Sequence, residues 1–105
     1  MTYQLRLRPQ VESDIEEAAL WYEEREAGLG EAFVHEVRQA INTLKSNPLL
    51  YPLRHRRHPI RWVFPKRFPY RIVFVVKENI VTVLCVTHAK RRKRVWRDRL
   101  SDVSE

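Results

Sequence analysis

The sequence predicts an α+β fold in the order β-α-α-β-β-β, with a helical hairpin packed on an antiparallel sheet. One N-terminal segment alternates apolar and polar residues, two amphipathic segments follow, and three apolar segments with short connections lie in the second half. The chain has 105 residues, 44% hydrophobic and 31% charged, which suits a single folded domain. We expect residues 1–100 to form this domain and residues 101–105 to form a short C-terminal tail.

The N-terminal half supplies the first strand and both helices. Residues 3–8 alternate in hydrophobicity, which is typical of a strand with one buried face. Residues 10–27 and 31–46 have helical periodicity, and Gly28 and Gly30 between them are expected to break the helix. Because the link is short, the two helices should form an antiparallel hairpin. The second helix has an apolar stripe that should pack on the sheet near Phe74: Phe33, Val37, Ile41 and Leu44.

The C-terminal half supplies the sheet. Residues 60–64, 70–76 and 80–87 are rich in β-branched and aromatic residues, and Glu78-Asn79 suits a tight turn between the last two. Consecutive strands with short links pair antiparallel. The last two strands are apolar on both faces, whereas a helical hairpin covers only one face. Either a partner covers the second face, or the sheet curls and the chain's own termini cover it.

The turn also predicts the register of the last two strands. A two-residue turn pairs Lys77 with Ile80. Counting back along both strands places Arg71 and His88 on one face, because successive side chains of a strand alternate between faces. We expect this face, together with Arg61 if the register allows, to form the functional surface.

The charge of the chain is unevenly distributed. The net formal charge is +7, and residues 53–105 carry 15 of the 20 basic side chains but only 4 of the 13 acidic ones. A half this basic favours a polyanion or an acidic protein segment as its partner. The run Lys90–Arg94, followed by Trp96, suits phosphate contact combined with base stacking. The alternative is a solvated tail or helix face, with Trp96 packed on the core.

Several functional classes find no support in the sequence. Cys85 is the only cysteine, which excludes an internal disulfide, and it lies in an apolar run as a buried residue would. Neither a signal peptide nor a stretch of ~20 apolar residues is visible, so we expect a cytoplasmic protein without a membrane span. There is no glycine-rich phosphate loop, and His55 and His58 lack carboxylate or thiolate companions, so no metal or other cofactor is expected.

Short segments distributed along the chain carry a family resemblance. In order they are Leu7-Arg8-Pro9, Asp14-Ile15-Glu16, Asn47-Pro48, Arg67–Phe74 and, after a hairpin, Val86-Thr87-His88 with the basic tail. Together, over about residues 3–97, they resemble the RelE/ParE superfamily of bacterial toxins. The resemblance implies a toxin of a type II toxin–antitoxin pair, held inactive by a small cognate antitoxin encoded beside it.

The resemblance implies one of two activities, cleavage of messenger RNA on the ribosome or inhibition of DNA gyrase. Ribonucleases of this superfamily typically carry basic residues on the first strand of the meander, arginines on the second strand and after the last, and often a terminal tyrosine. Arg71 matches the second-strand arginine, and Arg91 approximately matches the arginine after the last strand. The first-strand positions fall near Trp62 and Phe64, which cannot transfer a proton, and Trp96 lies near the expected tyrosine. This pattern favours gyrase inhibition by a protein that is not an enzyme.

Two alternatives remain open. RNA cleavage by 2′-hydroxyl attack needs an acid, a base and a cation, for which the chain offers three histidines, His55, His58 and His88, beside Arg61 or Arg71. A non-toxic basic module that only binds nucleic acid or protein is the other. The candidate catalytic residues are Arg61, Arg71, His88 and Arg91. The candidates for binding a partner or nucleic acid are these four together with Lys90, Arg92, Lys93, Arg94 and Trp96.

Overall fold

The structure is a computed structural model that describes residues 2–91 and 95–100. It confirms the predicted order of one strand, two helices and three strands, and it adds a short C-terminal helix. Within these ranges no helix is both long and apolar enough to span a membrane. The predicted tail, residues 101–105, lies outside the described residues. The elements are β1 (Gln4–Leu7), α1 (Gln10–Arg25), α2 (Leu29–Thr43), a 3₁₀ turn (Pro48–Leu50), β2 (Ile60–Val63), β3 (Tyr70–Lys77), β4 (Ile80–His88) and α3 (Val95–Leu100).

The four strands form one mixed sheet in the order β1-β4-β3-β2. Strands β2, β3 and β4 make the predicted antiparallel meander, and the turn pairs Lys77 with Ile80 as predicted. Strand β1 departs from the predicted antiparallel pattern because it pairs with β4 in parallel, with Leu5 opposite Val81. The helical hairpin carries the chain from β1 across the sheet, so β2 begins at the far edge and the last strand returns beside β1.

The helical hairpin covers one face of the sheet and forms the main core. The predicted stripe of α2 is confirmed, since all four of its residues are buried in one cluster with Phe74. Helix α1 contributes Val11, Ile15 and Ala18 to the same cluster. Burial of this many aliphatic and aromatic side chains is the main stabilising contribution to the hairpin–sheet arrangement.

The two glycines between the helices have different roles. Gly28 has a φ of 89° and precedes the first residue of α2, so it ends the hairpin link as predicted. Gly30 lies inside α2, and the prediction that it breaks the helix is wrong. It is buried where α2 crosses α1, and a Cβ atom at this position would lie 2.5 Å from the carbonyl oxygen of Ala19. The carboxylate of Glu23 accepts the N–H groups of both glycines at 2.9 Å, which satisfies two free donors at the start of α2.

The second face of the sheet is covered in part by α3. Trp96 of α3 is 6% exposed and packs in a second cluster with residues of β2, β3 and β4. This resolves the alternatives raised by the two-sided apolar strands, because α3 supplies cover that the hairpin cannot. The buried members of this cluster are Ile60, Val73, Val75, Leu84, Cys85 and Trp96.

A β-bulge changes the register in the middle of β3 and β4. Phe74 pairs with Val83, whereas Val73 pairs with Cys85, so Leu84 is an extra residue on β4. Beyond the bulge, Arg71 lies opposite Thr87, and it is Tyr70 that lies opposite His88. The prediction that Arg71 and His88 share one face is therefore wrong. A shift of one residue moves every following side chain to the other face of the sheet.

Candidate functional site

A basic recess lies on the second face of the sheet, between the ends of β3 and β4, the loop before β2, and α3. Its volume is about 360 Å³. Among the described residues its lining contains no acidic side chain. Four cations line it: Arg54, Arg71, Lys90 and Arg91. Three rings line it as well: His55, Trp62 and Trp96.

Arg71 is the cation that β3 places inside this recess. Its guanidinium carbon lies 4.4 Å from the centre of the Trp62 ring, and that of Arg54 lies 5.0 Å from the same ring. Tryptophan is the best aromatic partner for a cation, so Trp62 orients both guanidinium groups. Arg71 Nε is buried and has no hydrogen-bond partner, and the same is true of Thr87 Oγ1 on the neighbouring strand. Thr87 was not predicted as a site residue, because its face depends on the bulge and no sequence signal marks the bulge.

The histidines of the loop before β2 pack against Trp96. The ring centres of His55 and His58 lie 5.2 and 5.6 Å from that of Trp96. His55 Nδ1 accepts the backbone N–H groups of Arg57 and His58 at 3.1 and 3.3 Å. With Nδ1 used as an acceptor, the neutral ring carries its proton on Nε2, so neither nitrogen can act as a base in this arrangement. Trp96 is buried by these contacts and offers no exposed ring for base stacking.

His88 and Arg61 lie on the helical side of the sheet, away from Arg71. The His88 ring centre is 5.2 Å from that of Tyr70, and His88 Nδ1 accepts the backbone N–H of Lys90 at 3.0 Å. Arg61 pairs with Phe74 in the register and donates a hydrogen bond to the carbonyl oxygen of Tyr51. The predicted single surface of Arg61, Arg71 and His88 is therefore divided between two faces.

A second cavity of about 390 Å³ lies beside His88, between α1 and the end of β4. Trp21, Tyr70 and Arg91 also line it, and both Thr87 and Arg91 are shared by the two cavities. Burial raises the pKa of Tyr70, the nearby Tyr22 raises it further, and Arg91 opposes both effects. Three of the predicted binding residues, Arg92, Lys93 and Arg94, lie outside the described residues.

The single cysteine is not part of either cavity. Burial raises the pKa of the Cys85 thiol to about 12, and the carboxylate of Asp14 adds to this effect. The prediction of a buried free cysteine is confirmed. A thiol that stays protonated at neutral pH is a poor nucleophile and a poor metal ligand, so Cys85 is a packing residue.

Helix α3, whose Trp96 lines the recess, is anchored by a partly buried ion pair. Arg99 Nη1 lies 2.7 Å from Asp14 Oδ2 and donates a second bond, of 2.9 Å, to the carbonyl oxygen of Leu84. The same Asp14 oxygen accepts the backbone N–H of Val86 at 3.0 Å. The hydrogen bond to Asp14 raises the pKa of Arg99. These two side chains satisfy backbone groups that β4 exposes beyond the end of β1, since β1 pairs only as far as Val83.

The arrangement of a helical hairpin on a four-stranded sheet is shared with toxins of known structure. A protein of the chromosomal ParDE toxin–antitoxin system from P. aeruginosa superposes with a TM-score of 0.70 at 16% identity, covering 85% of this chain and 98% of that chain. A double-arginine mutant of the E. coli toxin RelE in the free state superposes with a TM-score of 0.61 at 16% identity, covering 98% and 99%. At this identity the likeness shows a common fold, the RelE/ParE fold.

The amino-acid sequence shows to which family the chain belongs. The family model described as the ParE toxin of the type II toxin–antitoxin system parDE matches residues 5–93. This chain therefore belongs to the ParE toxin family. A comparison with curated protein sequences gave no significant match.

Proposed function

We propose that this protein is the toxin of a type II toxin–antitoxin pair, that it inhibits DNA gyrase, and that a cognate antitoxin neutralises it. Membership of the ParE toxin family supports the first part. The site near Arg71 supports the choice of target. The recess supplies cations, which bind anionic or acidic surfaces. Among the described residues that line it, the imidazole of His55 accepts hydrogen bonds from backbone N–H groups and is not arranged to remove a proton from a 2′-hydroxyl.

The observation that carries the choice of target is the hydrogen bonding of His55. This is the one imidazole that lines the recess together with Arg71. Its Nδ1 accepts two backbone N–H groups, so both bonds would have to break before Nδ1 could serve as a base. The position on β2 that faces the recess holds Trp62, which has no basic group either. Binding without RNA cleavage is the function that this arrangement supports best.

The neutralising partner should combine acidic and apolar residues. The rim cations of the recess attract carboxylates, and apolar contact is available on α1, where Leu20 and Trp21 are 63% and 49% exposed. An acidic segment that folds as it binds meets both needs, and long-range attraction speeds its encounter with the basic half. Both the proposed target and this partner act inside the cell, which agrees with the cytoplasmic location expected from the sequence.

Growth under controlled expression tests this proposal. The chain is induced alone, and in a second strain together with the product of the small gene beside its own, while the integrity of a translated messenger RNA is followed. We expect growth arrest with intact message, and rescue by co-expression. Rapid cleavage of the message at the onset of arrest would contradict the choice of target. Normal growth of the strain expressing the chain alone would favour a non-toxic binding module instead.

Histidine-assisted RNA cleavage remains the second candidate, because His55 and Arg71 line the same recess. In that case a base would be created when an RNA strand displaces the loop before β2 and frees Nδ1. The two candidates predict different outcomes for a variant at His55, described in the Discussion.

A further inference from the structure

The basic recess holds two buried polar atoms that have no hydrogen-bond partner, Arg71 Nε and Thr87 Oγ1. The two residues face each other across β3 and β4, so their side chains leave adjacent positions on the same face. Folded proteins satisfy the great majority of their buried donors, because an unsatisfied one loses its hydrogen bonds to water without replacement. Two such atoms, on adjacent residues that both line one cavity, point to a missing ligand group.

The surroundings of these two atoms define the chemistry of that group. Arg71 Nε can only donate and the Thr87 hydroxyl can donate as well, so a ligand that satisfies both presents acceptor oxygens. Every charged residue that lines the recess is a cation among the described residues, which favours an anion. The base of the recess is apolar, formed in part by Ile60 and Val73, and this weakens competition from water.

We propose that Arg71 and Thr87 form an oxyanion site for one carboxylate, supplied by an acidic side chain of the antitoxin. This identification of the ligand rests on the proposed toxin–antitoxin pairing. Arg71 Nε and Thr87 Oγ1 each donate to the carboxylate, and the Trp62 ring keeps the guanidinium in place. The exposed cations of the rim, Arg54, Lys90 and Arg91, guide the acidic segment towards the recess.

The shape of the recess favours a single carboxylate over a nucleic-acid backbone. Arg71 is partly buried within the recess, whereas the other three cations lie at the exposed rim, and Trp96 of α3 closes one side. A nucleic acid carries a charge on every nucleotide and needs a row of accessible cations along an open track. One interior donor pair beside α3 instead fits a single side chain that enters through the open side of the recess.

The substitution Thr87→Val tests this proposal, because it removes the hydroxyl and leaves the shape of the side chain nearly unchanged. The full-length chain is titrated with a peptide of glutamates and, separately, with an oligouridylate of equal charge, and its thermal unfolding is measured. We expect Thr87→Val to weaken peptide binding by about tenfold, the value of one hydrogen bond to a charged group. The same variant should raise the melting temperature of the free chain, because an unsatisfied buried hydroxyl has been removed.

Thr82→Val is the matched control. Thr82 and Thr87 are both 8% exposed and lie on β4, but Thr82 pairs with Val75 near the opposite end of the strand. We expect this control to bind the peptide as the unmodified chain does. Arg71→Gln should weaken peptide binding in the same way as Thr87→Val and provides a second test of the site.

Three outcomes would overturn the proposal. The first is unchanged peptide binding by Thr87→Val, and the second is a lower melting temperature of that variant, which would make the hydroxyl structural. The third is a loss of oligouridylate binding with peptide binding retained, which would assign the recess to nucleic acid. None of these measurements involves gyrase or growth, so failure of the proposed target and failure of the oxyanion site are distinguishable.

Discussion

Arg99 and Asp14 join the helices that lie on opposite faces of the sheet, with 2.7 Å between Nη1 and Oδ2. Both side chains are largely buried, at 14% and 15% exposure, and both also bond to backbone groups of β4. The pair therefore holds α3 beside the basic recess and closes the edge of β4 where β1 ends. An open strand edge of this kind is otherwise a site for pairing with another chain.

Removal of one member of this pair should destabilise the fold. Arg99→Ala leaves the Asp14 carboxylate partly buried without its cation, and we expect a loss of about 3 kcal/mol in the free energy of unfolding. Urea denaturation measures it. Arg38→Ala is the control, because the ion pair of Arg38 with Glu12 is about half exposed and should contribute less than about 1 kcal/mol. Equal losses for the two variants would show that the Asp14–Arg99 pair does not anchor α3.

The stripe of α2 should dominate the stability of the main core. Ile41 is 4% exposed, and Ile41→Ala should cost roughly 2–5 kcal/mol, which is the range for truncating a buried isoleucine. Leu20→Ala provides the contrast, since Leu20 is 63% exposed on α1 and its truncation should change stability little. Thermal or urea unfolding of both variants checks this, and an unchanged melting temperature for Ile41→Ala would contradict the packing of α2.

Features that depend on the periodicity of neighbouring residues could be predicted from the sequence. Features that depend on contacts between distant segments could not. The stripe of α2 and the turn at Glu78-Asn79 depend on neighbouring residues, so the sequence pattern was enough to predict them. The bulge at Leu84 was not visible, because residues on both sides of it are apolar and face a buried environment in either register. Without the bulge, neither the separation of Arg71 from His88 nor the role of Thr87 can be derived.

Two other features depend on contacts between distant segments. Position 30 requires a glycine because α1 and α2 cross closely there and leave no room for a Cβ atom. The sequence pattern alone is equally typical of a helix break. Helix α3 follows a run of basic residues, so the sequence left two interpretations of this segment open, and the one with Trp96 packed on the core is confirmed. The stability of α3 depends on Asp14, which lies far away in the sequence.

Association with the antitoxin should depend on salt mainly through its rate. The basic residues at the rim of the recess are exposed, so added salt screens their attraction for an acidic segment and should lower the association rate constant. The dissociation rate constant should change less, because apolar contacts are not screened. Stopped-flow measurements at low and high salt check both constants. An association rate constant that does not change with salt would count against the basic rim of the recess as the docking site of the antitoxin.

A substitution at His55 separates the two candidate activities. His55→Asn replaces the imidazole but retains an acceptor near the position of Nδ1, so the loop hydrogen bonds to Arg57 and His58 can persist. If the chain inhibits gyrase, growth arrest by this variant should equal that of the unmodified chain. A histidine-assisted ribonuclease would instead lose its toxicity, and a non-toxic variant with an unchanged melting temperature would support that activity.

Supercoiling of relaxed plasmid DNA by purified gyrase reports directly on the proposed inhibition. The purified chain is added to gyrase, ATP and plasmid, with and without prior incubation with the antitoxin. We predict that the chain alone blocks the appearance of supercoiled plasmid and that the antitoxin restores it. Complete supercoiling in the presence of excess chain, together with cleavage of messenger RNA when ribosomes are supplied, would contradict the claim that this protein is a gyrase inhibitor.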